Sequence, residues 1–279
     1  ENAIAWNNKG SALSGLGKTK EALEAYNRTV TIDPGNSVAW TNKGYIEAKL
    51  GNYQGALDSY NTALAHNPGL PGTWGYKAAA LSSLGRYEEA IEAADRELEI
   101  NPSNIQALIV KGDALMALSR YTEAESAYRY ALDLNTNSST LWFNLGNARF
   151  NARDYEGAVE AFTRALEINP GYTQAWMYQV SALKALGRGQ DAVRFYDPVL
   201  KTDPHNVIAL MNKGYALHQM KEYDEAVALF KRVLEIQPNN TAAMLNIGYE
   251  QIAVGDYIGS IRTYDRVLAI EPENEEALL

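Results

Sequence analysis

An all-α fold, a solenoid of eight antiparallel helix-turn-helix units, is what the 279-residue sequence predicts. Two residue series and one periodicity carry the prediction. Tryptophans stand at Trp6, Trp40, Trp74, Trp142 and Trp176, spaced by 34 residues or twice that. Prolines keep the same step at Pro34, Pro68, Pro102, Pro170, Pro204, Pro238 and Pro272, with one site held instead by Thr136. Between these markers apolar residues recur at helical rather than alternating spacing. A fixed step of this length is the mark of a repeat architecture.

The units are 3-36, 37-70, 71-104, 105-138, 139-172, 173-206, 207-240 and 241-274, and positions within each are numbered 1 to 34. In the second unit Trp40, Gly44 and Leu50 mark a first helix, and Tyr53, Ala56, Tyr60, Ala63 and Leu64 a second. Gly51 between them suits a left-handed helix end, and Pro68-Gly69 stops the second helix. Helices of about 14 residues are too short to persist alone in water, so stacked neighbours must hold them. Position 8 is Gly in six units (Gly10, Gly44, Gly112, Gly146, Gly214, Gly248). A helical Gly costs about 1 kcal/mol against Ala, so its recurrence predicts close approach of the paired helix. Position 20 is always small, and position 24 is a ring in seven units, from Tyr26 to Tyr264, which fills the hairpin core.

The sixth unit is the least regular, with Val180 at position 8, Gly189 at 17 and Pro198 inside the second helix. Pro198 lacks the amide proton that Arg194 would accept and crowds that turn, so a kink is expected there. Residues 275-279 read as the start of a further helix. They end without a polar cap, which makes the chain an expected fragment of a longer protein, with its uncapped ends open to self-association.

The net charge of −9 removes the basic stripe on which nucleic-acid binding depends. It also disfavours anionic membrane surfaces, and no apolar run is long enough to span a bilayer. Zero cysteines exclude disulfides and thiolate sites. His66, His205 and His218 do not share a helix at metal-ligand spacing. No phosphate loop or nucleophile elbow occurs. No catalysis, cofactor or metal is expected. The sequons at Asn27, Asn137 and Asn239 are read as chance, and the expected location is cytoplasmic.

The pattern of Trp or Leu at 4, Gly at 8, Tyr at 17, Ala at 20, Tyr or Phe at 24, Ala or Val at 27 and Pro at 32 resembles the tetratricopeptide repeat over residues 3-274. That resemblance implies a right-handed superhelix, with first helices lining a concave face. It also implies that positions 2, 5, 6, 9, 12 and 13 face the groove. Only Lys49, Asp113 and Lys184 are charged among those 48 positions, where the overall composition would place about 10. Position 6 is Asn at Asn8, Asn42, Asn144, Asn212 and Asn246, and Asn147 joins them from position 9. An amide can pair with both sides of a peptide unit, and the row is similar to the asparagine ladder in the repeat domain of O-linked N-acetylglucosamine transferases. Rings and thioethers crowd the same face: Tyr45, Tyr76, Tyr178, Tyr215 and Tyr249, with Phe143, Phe150 and Met177. The Lys and basic residues of the carboxylate-clamp branch are absent from positions 2, 5 and 6. The lysines at position 7 (Lys9, Lys43, Lys77, Lys111, Lys213) are read as stems lying along neighbouring helices.

The expected function is a protein-protein interaction scaffold that binds a protein or peptide in a neutral groove lined by Asn and Tyr. A self-associating array, or the substrate-recognition arm of a larger enzyme such as a glycosyltransferase, are the alternatives.

Overall fold

The computed structural model describes residues 2–278. Glu1 and Leu279, and with them the two ends of the expected array 1-279 and the last residue of the segment 275-279, lie outside the described residues. All regular structure among them is helical. The chain forms two compact units, Glu1–Ala152 and Arg153–Leu279, taken in turn.

The first unit runs α1 (Ala3–Gly15), α2 (Thr19–Ile32), α3 (Ser37–Lys49), α4 (Tyr53–His66), α5 (Thr73–Ser83), α6 (Tyr87–Ile100), α7 (Ile105–Ala117), α8 (Tyr121–Leu134) and α9 (Ser139–Asn151). The second runs α10 (Tyr155–Ile168), α11 (Thr173–Ala185), α12 (Gly189–Arg194), α13 (Asp197–Thr202), α14 (Val207–Gln219), α15 (Tyr223–Ile236), α16 (Thr241–Ala253), α17 (Tyr257–Ile270) and α18 (Glu275–Leu278). Within each unit consecutive helices pack against each other, α1 through α9 in the first and α10 through α12 and α13 through α18 in the second. First helices of neighbouring hairpins also touch, α1 on α3, α3 on α5, α5 on α7, and α11 on α14. No two second helices approach as closely among the described residues. Helices that crowd on one side and splay on the other curve the stack, so in each unit the first helices line the inner side.

Local chemistry explains the step of 34. Trp40, Trp74 and Trp142 each donate Nε1–H to the carbonyl six residues earlier, Pro34 at 2.8 Å, Pro68 at 2.8 Å and Thr136 at 2.9 Å. The indole thus staples the loop that the proline turns. Thr136 can replace proline because the acceptor is a carbonyl, which every residue has. Lys9, Lys43 and Lys77 lie over the Trp6, Trp40 and Trp74 rings at 4.6, 4.8 and 4.8 Å. That is a cation–π contact as well as a packed stem.

First helices open on a side-chain cap at position 34. Asn36, Asn104, Asn206 and Asn240 accept from Ala39, Ala107, Ala209 and Ala243 N–H at 2.9–3.1 Å. Seven second helices open in one of two ways, and α15, with Glu222 and Glu225 at the positions concerned, in neither. Asn52, Asp154 and Asp256 cap the amides of Gly55, Gly157 and Gly259. Where that cap is missing, an ion pair spans the same two positions: Lys18–Glu21, Arg86–Glu89, Arg120–Glu123 and Arg188–Asp191. Each pair is exposed, and solvent screening leaves it little to add.

The hairpin core pairs position 8 with position 24. A Cβ on Gly44 would lie 2.6 Å from the Tyr60 ring, on Gly112 2.5 Å from Tyr128, and on Gly214 2.6 Å from Phe230. The third repeat replaces glycine and ring by Ala78 and Ala94, both fully buried. In the sixth, Val180 stands where the other repeats have glycine or alanine, and the Tyr196 hydroxyl accepts from Asn212 of the next first helix at 3.0 Å. The second helix there is broken outright rather than kinked. It ends at Arg194 and restarts at Asp197, which puts Pro198 in the first turn of α13, where its missing N–H is not needed.

Candidate peptide-binding surface

The inner side of the first unit is built by α3 and α5. Tyr45 and Tyr76 meet at 5.5 Å between ring centroids, and Tyr76 stacks over Tyr60 at 6.2 Å. With Lys49 and Tyr53 they line a cavity of about 270 Å³. Tyr60 is buried beneath, and burial raises its phenol well above the ordinary range. Tyr45 and Tyr76 stay exposed. Among the amides, Asn8 is exposed on α1. Asn42 is half-buried and reaches Asn7 Oδ1 at a long 3.5 Å. Asn144 and Asn147 are half-buried on α9, and Asn147 Oδ1 accepts from Asn151 at 2.8 Å.

In the second unit α11, α14 and α16 place Trp176, Met177, Tyr178, Tyr215, Asn246 and Tyr249 along the inner side. A cavity of about 450 Å³ lies between α11 and α14, lined by Trp176, Met177, Tyr178 and Tyr215. A wider one of about 560 Å³ follows, lined by Tyr215, Asn246, Tyr249 and Glu276. Tyr215 is the wall between them. Its ring lies 5.6 Å from both Trp176 and Phe230. Burial raises its phenol, against the opposing pull of the Asn246 hydrogen bond.

The amide row needs correcting at two rungs. Asn212 is a core residue, buried with its Nδ2 donating to Tyr196 Oη. It has no free face to offer a ligand. Asn246 spends its Nδ2 on Tyr215 Oη at 3.0 Å and on the Ala242 carbonyl at 2.6 Å, so only its Oδ1 is open to a partner. Met177, Tyr178 and Tyr249 are all exposed on first helices.

Two features escaped the sequence reading. One is Trp176, whose counterparts staple loops. Here the ring is buried and Nε1 has no acceptor. The other is Glu250 on α16, buried, with Oε1 2.8 Å from His218 Nδ1 and Oε2 unpartnered. Burial raises the Glu250 carboxyl, with His218 pulling against that shift. A carboxyl raised in the fold contributes stability below the ordinary Glu range and loses it as pH climbs through the folded value. Glu250→Gln therefore flattens the fall in melting temperature on going from acid to neutral pH and raises the neutral value. Calorimetry across that range checks it, and an unchanged pH profile contradicts it.

No helix among the described residues is long and apolar enough to cross a membrane. Comparison with curated proteins finds no match. Among solved structures, the fold resembles MamA from Desulfovibrio magneticus, at 21% identity over 61% of this chain and 96% of that one, with a TM-score of 0.58. A tetratricopeptide repeat protein from Parabacteroides merdae matches at 19% identity over 89% and 98%, TM-score 0.59. The C-terminal part of a repeat-containing protein from Cytophaga hutchinsonii matches at 15% identity over 97% of both chains, TM-score 0.61. At these identities the likeness concerns the fold alone. Models described as "Tetratricopeptide repeat" match residues 3–36, 37–70 and 207–240, residues 73–104, residues 109–173 and residues 149–213. On these matches, with the hairpins and the Gly-to-ring pairing beneath them, the chain belongs to the tetratricopeptide repeat family.

Proposed function

We propose that the chain is a non-catalytic scaffold that holds an extended peptide or a partner helix against the inner side of its first helices. Tetratricopeptide repeat proteins generally bind protein partners, and the surface found here suits one. The observation that carries the reading is the exposure of Tyr45, Tyr76, Met177, Tyr178 and Tyr249 on first helices, where Tyr45 and Tyr76 line one cavity and Met177 and Tyr178 another. Rings and thioethers give contact area at little entropic loss. With Asn212 closed off, the rings rather than an amide ladder supply the grip.

Display selection of random peptides on the immobilised chain tests this. Selected peptides should lose at least about tenfold in affinity against Tyr249→Ala and Met177→Glu, roughly 1.4 kcal/mol or more, and keep it against Tyr130→Ser on α8. Equal loss against all three variants, or loss only with Tyr130→Ser, defeats the reading. Self-association is a second reading, favoured by α17, whose Tyr257, Ile258 and Ile261 are 64%, 67% and 61% exposed. Light scattering that shows one mass at all concentrations removes it.

A further inference from the structure

The cavity between α11 and α14 narrows the ligand, and the inference rests on the groove reading above. Trp176 is 2% exposed, and its Nε1–H has no acceptor, although Trp40, Trp74 and Trp142 at the same repeat position all find one. Its ring forms part of the cavity lining. Met177, Tyr178 and Tyr215 supply apolar walls, and the volume of about 450 Å³ suits one large side chain.

The rim adds a charge. Lys184 Nζ donates to Gln219 Oε1 at 3.2 Å, and Gln219 lines the cavity. Lys184 is exposed and has no carboxylate at ion-pair distance among the described residues. Acids nearby on the chain are already engaged, Glu222 by Gln190 and Glu250 by His218. The net charge of −9 acts weakly at this range, because salt screens exposed charges beyond about 8 Å. An apolar pocket beside an ammonium that lacks an anion complements an apolar residue flanked by an acid.

We propose that this cavity takes a large apolar side chain, such as Phe or Leu, from an extended peptide. A neighbouring Asp or Glu of the peptide pairs with Lys184.

The probes are three end-blocked heptapeptides: Ser-Gly-Asp-Phe-Asp-Gly-Ser, the same with Lys for both Asp, and the same with Ser for Phe. The readout is the set of indole N–H signals of the nitrogen-15-labelled chain, with Trp176 assigned by Trp176→Phe. The Asp-Phe-Asp peptide should shift the Trp176 signal, because the peptide ring packs beside the indole, and bind at least about tenfold tighter than both controls. Lys184→Glu, a change on the exposed rim, should reverse the preference between the Asp and Lys peptides. A still Trp176 signal, equal affinity for all three peptides, or an unreversed preference overturns the inference. If peptides perturb Asn246 and Tyr249 amides but never Trp176, the cavity assignment fails while the groove reading survives. If display-selected peptides perturb no first-helix amide at all, the groove reading fails as well.

Discussion

Glu97→Ala should lower the stability of the first unit by roughly 3 kcal/mol, the largest effect of any single truncation considered. The α5 helix follows Pro71-Gly72, and position 34 before it is Leu70, so it lacks the Asn cap of its neighbours. Gly72 takes the left-handed conformation, φ 83°, which only glycine adopts without penalty. The cap comes instead from α6. The Glu97 carboxylate accepts from Gly72 N–H at 2.9 and 3.0 Å, from Gly75 N–H at 3.2 Å and from Asn104 Nδ2 at 3.0 Å. It is fully buried and sits at the positive end of a helix. Because Asn104 caps α7, one carboxylate ties together α5, α6 and α7. Alanine leaves those donors unpaired in the interior. Glu97→Gln keeps the shape and loses the charge, so it should fall between. Urea denaturation measures both, and a wild-type midpoint for Glu97→Ala contradicts the account.

Gly44→Ala should destabilise by about 1–2 kcal/mol, although alanine is the better helix former by about 1 kcal/mol. The new Cβ would sit 2.6 and 2.8 Å from carbons of the Tyr60 ring and 3.1 Å from the Ala56 carbonyl. The ring cannot step aside, since Tyr76 stacks on it. Trimming the ring should release the clash. In a Tyr60→Leu background Gly44→Ala becomes neutral or stabilising, and the double-mutant cycle reports the coupling directly. Additive behaviour would show that glycine is kept there for another reason. The Ala78–Ala94 pair of the third repeat is the same solution with both partners small.

The fold was legible because each repeat states its own geometry. Tryptophan, glycine, ring and proline recur at one step, and each answers a local need: a stapled loop, a close approach, a filled core, a turn. The individual departures were legible as anomalies but not as structures. Position 27 is Thr, Ala or Val everywhere except Glu97, and position 10 is Ala or Ile everywhere except Glu250. Both odd carboxylates turn out to be buried and bonded across helices. A buried acid in a column of small apolar residues is a signal that periodicity alone passes over.

The candidate site was read less well. Its rings follow from helix face, which sequence spacing encodes. Its hydrogen bonds do not. Whether an Asn amide is free depends on side chains one helix away, and Asn212 is taken up by Tyr196, a residue outside its own helix. Pro198 was correctly marked as a disruption. Its outcome, two short helices with a residue pair between, depended on where the chain could restart with proline at its first turn.

Site-specific photo-crosslinking tests the central claim most directly. A photoreactive phenylalanine analogue is placed in turn at Tyr76, Met177 and Tyr249 on first helices, and at Tyr130 on a second helix, and each chain is irradiated with a display-selected peptide. The account predicts crosslinks from the three first-helix positions and none from position 130. Crosslinks from position 130 alone, with the first helices silent, would contradict it.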